Sequence, residues 1–266
     1  MTEPLSARAH LIAGGFPPGS MGGHDHDYAR LRLLQLLAEH DIPASVANDF
    51  TDVAKWLSVS RLMITYVAGP YPDATQCAAI RSWLEAGGHW LALHGTSGGR
   101  AERVEGQRMR RSVRTEHHAL LGGRFLTHPP IREFRVEVVA DSPLTAGLPR
   151  SFTIEDEPYF VELQDTASTQ ILLTADYGAG AESATAGLYP SDTSLLPDGK
   201  SRAVGFSRAM GRGGVTDFAF GHCHNPAIRA GRAADETPPT FRGPWENESF
   251  LTLLRNGIVC GMEAER

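Results

Sequence analysis

The sequence predicts an α/β protein whose mostly parallel sheet is covered on both faces, and three observations predict it. Strand and helix patterns alternate through about the first ninety residues, the mark of right-handed βαβ units. Segment 61–68, RLMITYVA, is almost continuously apolar, as a parallel strand buried on both faces must be. The chain of 266 residues is 41% hydrophobic and 21% charged, which is ordinary globular usage and enough for one large core.

The elements follow in order. Residues 9–14 read as the first strand, and GGFPPGSMGGHDHD, 14–27, is a Gly/Pro-rich loop. A helix over 27–41 has Tyr28, Leu31, Leu34 and Leu37 at helical spacing and Asp27 as its N-cap. A strand at 42–47, a short helix at 52–57 and the strand 61–68 come next. The helix 74–88 repeats the pattern through Cys77, Ile80 and Leu84, with Gly87 and Gly88 as its stop, and leads to a strand at 90–93. The second half is richer in strands, at 133–140, 151–154, 170–175, 203–208 and 215–220. A closing helix over 247–257 turns Phe250, Leu251, Leu254 and Ile258 to one side. Segments 178–200 and 229–244 are rich in Gly, Pro, Ser and Thr, and fit long surface loops in one domain spanning 1–266.

Charge and cysteine content narrow the function. The net charge of −6 argues against a nucleic-acid partner, because phosphate binding needs a basic face. The one basic cluster, RMRRSVR at 108–114, is flanked by Glu102, Glu105 and Glu116 and reads as a solvated loop or helix face. Cys77, Cys223 and Cys260 are odd in number and far apart, so no disulfide framework is expected and a reducing cytoplasm fits. No apolar run reaches the roughly 18 residues of a membrane span, and no secretory leader opens the chain. The expectation is a cytoplasmic protein with a small-molecule partner, either alone or as a homo-oligomer.

Parallel sheets bind ligands beyond the carboxyl ends of their strands. His24 and His26, His94, the pair Asp156 and Glu157, and His222 and His224 all fall there, so five of the eleven histidines sit at predicted strand ends. Each has a plainer reading. His94 could cap a turn, the HDHD residues could be solvated or capping, and one of His222 and His224 could be a buried structural residue. His117 and His118 begin a helix, with one of them expected to be exposed, and His128 is held extended by the following prolines. Together, imidazoles and carboxylates at one sheet edge could hold Zn²⁺ or another divalent metal, or act as acid and base near neutral pH. No HExxH spacing is present. Asp156 and Glu157 precede Pro158, Tyr159 and Phe160, and carboxylates beside aromatic faces suit a sugar; a strand-end turn with a packed tyrosine is the alternative.

Five blocks in order, ALHG at 92–95, LGGRFLTHPP at 121–130, DSPLTAGLP at 141–149, IEDEPYF at 154–160 and FGHCHN at 220–225, resemble the ThuA-like, trehalose-utilisation family. The resemblance implies a flavodoxin-like three-layer sandwich, similar to class I glutamine amidotransferases. Those relatives carry a cysteine on a GxCxG elbow after this strand. Here the matching residue is His94, and Asn225-Pro226 stands where an acidic residue should follow the histidine, so glutamine hydrolysis through a thioester is not expected. The resemblance implies instead a carbohydrate-processing protein acting on a sugar or 3-keto-glycoside by histidine and carboxylate acid–base chemistry, with or without a metal. His94, His222 and Glu157 are the expected catalytic residues, and Asp156, Tyr159, His128 and His224 the expected substrate contacts. His24, His94 and His222 are the expected ligands of a metal such as Zn²⁺. Two rivals stay open: a non-catalytic sugar-binding or regulatory protein, and a metal-dependent hydrolase of a non-sugar substrate.

Overall fold

The computed structural model describes residues 8–15, 23–229 and 238–263. The chain runs through β1 (Ala9–Gly15), α1 (His26–Glu39), β2 (Ala44–Ala47), α2 (Val53–Leu57), β3 (Leu62–Ala68), α3 (Ala74–Glu85) and β4 (His89–Leu93). A short pair, β5 (Ala101–Arg103) and β6 (Arg110–Ser112), precedes α4 (Glu116–Leu121), β7 (Gly123–Thr127), β8 (Arg132–Val138), β9 (Ser151–Asp156) and β10 (Phe160–Leu163). It then passes through β11 (Thr169–Asp176), β12 (Ser201–Met210), β13 (Gly213–Phe218), α5 (Pro226–Arg229) and α6 (Glu248–Glu263).

Among the described residues, nine strands form one sheet in the order β2-β1-β3-β4-β13-β12-β11-β8-β9. The five from β2 to β13 are mutually parallel. Every later neighbour pairs antiparallel, which turns β12 and β8 against the rest and leaves seven of the nine strands pointing one way. The carboxyl ends of β4, β13 and β9 therefore lie toward the same edge. This is the expected α/β fold with a mostly parallel sheet.

Alternation along the strands makes two cores. Leu11, Ile64 and Leu91 pack with Leu33, Leu37, Phe250 and Ile258 of α1 and α6. Ile12, Met63 and Trp90 point the other way, against α2, α3 and α4 through Leu57, Ile80, Leu84 and Leu120. Three layers result. The three cysteines are unpaired, and among the described residues no helix is long and apolar enough to cross a membrane.

Several local expectations change. The N-cap of α1 is Asp25, whose side chain accepts from the Tyr28 amide, while Asp27 lies in the first turn and pairs with Arg30. The buried stripe of that helix runs through Ala29, Leu33, Leu36 and Leu37, leaving Leu31 54% exposed. Part of the basic run forms β6 rather than a loop or helix face. His117 and His118 are both buried, not one exposed. Strands β7 and β10, unforeseen, pair only with each other, and parts of the predicted 14–27 and 229–244 loops lie outside the described residues.

Asp217, on β13, is fully buried, and neither carboxylate oxygen has a hydrogen-bond partner among the described residues. Burial holds its carboxyl well above the usual range. The native state therefore keeps a proton that the unfolded chain, with a pKa of about 4, releases. Because the native state binds more protons, stability falls as pH rises above about 4, up to the folded pKa. Asp217→Leu removes this buried polar group at similar volume and is expected to stabilise the protein by about 1–3 kcal/mol near neutral pH, with a smaller gain near pH 4. Urea midpoints at the two pH values check it; equal midpoints at neutral pH contradict it.

Candidate functional site

Strand β4 delivers His94 into a 3-10 turn, His94–Ser97. His94 has φ +48°, the left-handed region that non-glycine residues rarely adopt. The strand-to-turn bend expected of an elbow is thus present, with an imidazole at its apex. Gly95 follows because a Cβ there would sit 2.6 Å from the Val67 carbonyl oxygen on β3. Two histidines tie the turn down from α4: His117 Nε2 donates to Thr96 O (2.7 Å) and His118 Nε2 to Gly98 O (2.9 Å). That need for donors explains why both are buried.

His24 is brought in by zipping its loop to the one after β13. The Asp25 amide donates to Cys223 O (2.8 Å), and Asp25 Oδ2 accepts from Asn225 Nδ2 (2.9 Å) and Arg242 Nη1 (2.7 Å). Glu157 comes from further away. In a flat sheet β9 would lie four strand spacings, about 19 Å, from β13, so the antiparallel flank must twist back over the carboxyl edge. Asp156 fastens it there: Oδ2 accepts from the Gly221 amide (2.8 Å), and Oδ1 from the amides of His222 (3.0 Å) and Glu157 (2.8 Å).

The result is a tight cluster. One donor atom from each of His24, His94, Glu157 and His222 lies within 4.8 Å of all the others. His94 Nε2 is 3.1 Å from His24 Nε2 and 3.5 Å from Glu157 Oε2, and His222 Nδ1 is 3.2 Å from that same oxygen. The outer nitrogens are engaged elsewhere. His94 Nδ1 donates to Ala219 O (3.0 Å), and His222 Nε2 lies 2.9 Å from His224 Nδ1, whose own ring Nε2 donates to Pro238 O (3.0 Å). Carbonyls only accept, so these contacts fix which ring nitrogens carry protons.

His94 is 0% exposed and His222 3%, so their rings do not reach into open solvent. His128 does, with a side chain 35% exposed and Nε2 3.8 Å from Glu157 Oε2. Its Nδ1 donates to Pro129 O (2.8 Å), leaving Nε2 as the basic nitrogen. The unforeseen β7–β10 pair explains its position: Thr127 pairs with Phe160, so the exit of β7 meets the segment that carries Glu157 and Tyr159. Tyr159 stacks on His94 at 4.1 Å between ring centroids and on His128 at 5.7 Å. Among the residues expected to touch substrate, Tyr159 and His128 adjoin the cluster. Asp156 and His224 are buried behind it, held by backbone amides and by His222 and Pro238.

Burial opposes charge on His24, His94, Glu157 and Asp156, and neighbours decide the outcome. For His94 the close Glu157 carboxylate and the Asp156 and Glu157 charges outweigh burial and make the ring more basic than usual. For His24, burial followed by His94 and His222 pushes the ring well below the ordinary imidazole range. Glu157 stays ionised well below the usual range, because the charges of His222 and His128 and its close contacts with His222 and His94 overcome its burial. Burial raises Asp156 to about 6 despite its charged and amide neighbours. The inner cluster thus sets a ring that holds its proton more tightly than usual, His94, against the ionised Glu157, with His128 at its outer side. A separate depression lined by Asp176, Glu182, Lys200 and Arg202 contains none of the expected site residues.

A family model described as trehalose utilisation, ThuA, matches residues 19–227. Among solved structures, a protein from Bacteroides uniformis described as ThuA-like superposes with a TM-score of 0.60 at 16% identity, covering 97% of this chain and 92% of the other. A ThuA-like protein from Parabacteroides merdae gives 0.56 at 15% identity, covering 98% and 91%. The β-galactosidase of Rahnella sp. R3 gives 0.58 at 12% identity, covering 98% of this chain but 32% of that one. No curated protein matches the sequence. At these identities the structural likenesses speak for the fold alone.

Proposed function

The chain belongs to the ThuA, trehalose-utilisation, family, and from that premise we propose that it is a carbohydrate-processing enzyme that removes a proton beside the carbonyl of an oxidised sugar such as a 3-keto-glycoside. The observation that carries this reading is the buried cluster of His24, His94, His222 and Glu157 with the half-buried His128 at its side. A keto group makes the neighbouring C–H acidic because the electron pair can move onto oxygen. The inner cluster meets that developing negative charge, and such stabilisation is usually the largest catalytic effect.

In this scheme His128 Nε2 takes the proton from carbon, and the C–H electrons become the C=C of an enolate. When the enolate collapses, the bond to the glycosidic oxygen breaks, and the proton passes from His128 to that oxygen. Atoms and charge balance without an oxidant. Glu157 lies between His94, His222 and His128, while Tyr159 offers an aromatic face to the sugar C–H surface.

The test is product formation from 3-keto-glucosides, with the unoxidised glycosides as controls. Turnover of the keto sugars alone is expected. His128→Gln is expected to lower kcat by about 10²-fold, the usual contribution of a positioned base, with KM little changed. Binding of keto sugars without product would favour a non-catalytic sugar-binding protein.

A further inference from the structure

The neutral tautomers of His94 and His222 turn two ring lone pairs inward, toward one carboxylate oxygen. His94 donates from Nδ1 to a carbonyl, so in its neutral form Nε2 is an inward lone pair, 3.1 Å from His24 Nε2. His224 donates from Nε2 to Pro238 O, so its Nδ1 must accept, and His222 Nε2 must be the donor. That leaves His222 Nδ1 as a second bare lone pair, buried and without a hydrogen-bond partner among the described residues. It faces not a donor but the carboxylate oxygen of Glu157 at 3.2 Å, and His94 Nε2 faces the same oxygen at 3.5 Å. Acceptors at such distances repel, and in a buried setting strongly. A donor Nε2 on His24 or a proton on His222 Nδ1 satisfies one contact each. A multivalent ion relieves all of them.

We propose that His24, His94, His222 and Glu157 form a binding site for a divalent metal ion of the zinc type. The spacing is close to what such an ion needs: donors at about 2.0–2.2 Å around a tetrahedral ion lie about 3.3–3.6 Å apart, and three of the contacts here are 3.1, 3.2 and 3.5 Å, with all four donor atoms within 4.8 Å of one another. Three imidazoles and one carboxylate suit Zn²⁺ or a neighbouring transition metal rather than Mg²⁺ or Ca²⁺, which prefer oxygen. The second layer is also in place. Ala219 O on His94, and His224 backed by Pro238 O on His222, hold each ring with one nitrogen inward, as metal-ligating histidines are held. Bound there, the ion supplies the positive centre opposite the carbonyl oxygen. The inference deepens the proposed function by identifying that centre, yet depends on no substrate.

Metal analysis of the purified full-length protein tests it, together with calorimetric titration of Zn²⁺ into chelator-treated protein. One ion per chain is expected, with a higher melting temperature when loaded. Glu157→Gln and His24→Asn should each weaken binding by more than about 100-fold, and His224→Phe by about 10–100-fold through loss of the fixed His222 ring. Co²⁺ in its place should show the visible spectrum of a tetrahedral N/O site, altered in His224→Phe. His24 lies on a loop outside the sheet, so its variant serves if others fail to fold, with circular dichroism as the control. Folded protein that takes up no Zn²⁺, Co²⁺ or Mn²⁺, or His24→Asn and Glu157→Gln variants that keep full occupancy, overturns the proposal. Loaded protein that leaves every keto sugar unchanged sinks the proposed function alone.

Discussion

Replacing His94 with glutamine is expected to lower turnover by about 10³-fold while leaving the protein folded. The ring is buried between Tyr66 and Tyr159, donates to Ala219 O and turns its other nitrogen to His24 and Glu157. It cannot reach solvent, so its contribution is to the positive centre, and removing such a centre costs about 10²–10³-fold or more. Glutamine nearly fills the space, and the strand-end bend is held independently by Gly95 and by His117 and His118 on the turn's carbonyls. Kinetics beside a thermal melt check both halves. A variant retaining more than about a tenth of parental kcat would remove His94 from the mechanism.

Asp156→Ala is expected to be the most destabilising change near the site, by on the order of 3 kcal/mol. It strips the acceptors from the buried amides of Glu157, Gly221 and His222, and each unsatisfied buried group costs about 1–3 kcal/mol. The burial that raises this carboxyl to about 6 offsets part of the loss. Because the same contacts fasten β9 to the loop after β13, Glu157 should also drift from His222, and turnover should fall with stability. Asp156→Asn keeps one acceptor oxygen and should fall between the two. Urea unfolding of the three proteins decides it: an alanine variant within about 1 kcal/mol of the parent would mean that Asp156 is not a brace.

Much of this was legible from the sequence, for identifiable reasons. Strands such as β3 announce themselves because burial on both faces demands unbroken apolar runs. His24, His94, His222 and Glu157 could be singled out because parallel topology places strand ends, and so their following residues, at one edge. The companions were harder to read. Asp25 and Asp27 are chemically the same cap candidate two residues apart, and only Asn225 and Arg242, some two hundred residues on, choose between them. The place of His128 depends on β7 pairing with β10, short mixed-polarity strands with no clear period. Asp156 and His224 have the residue types of substrate contacts, and nothing local reveals that they face backbone amides and a second imidazole. His117 and His118 are buried because an elbow turn far upstream has carbonyls to satisfy. Long-range pairing decided each of these.

The central claim is that this cluster, with His128, labilises a proton next to a sugar carbonyl. Incubating the enzyme with a 3-keto-glucoside in D₂O and following the C2 proton by NMR tests it most directly. Loss of that signal with wild-type protein, and its persistence with His94→Gln and His128→Gln, is the predicted result. A C2 proton that stays in place on a keto sugar demonstrably bound by the wild-type protein would contradict it.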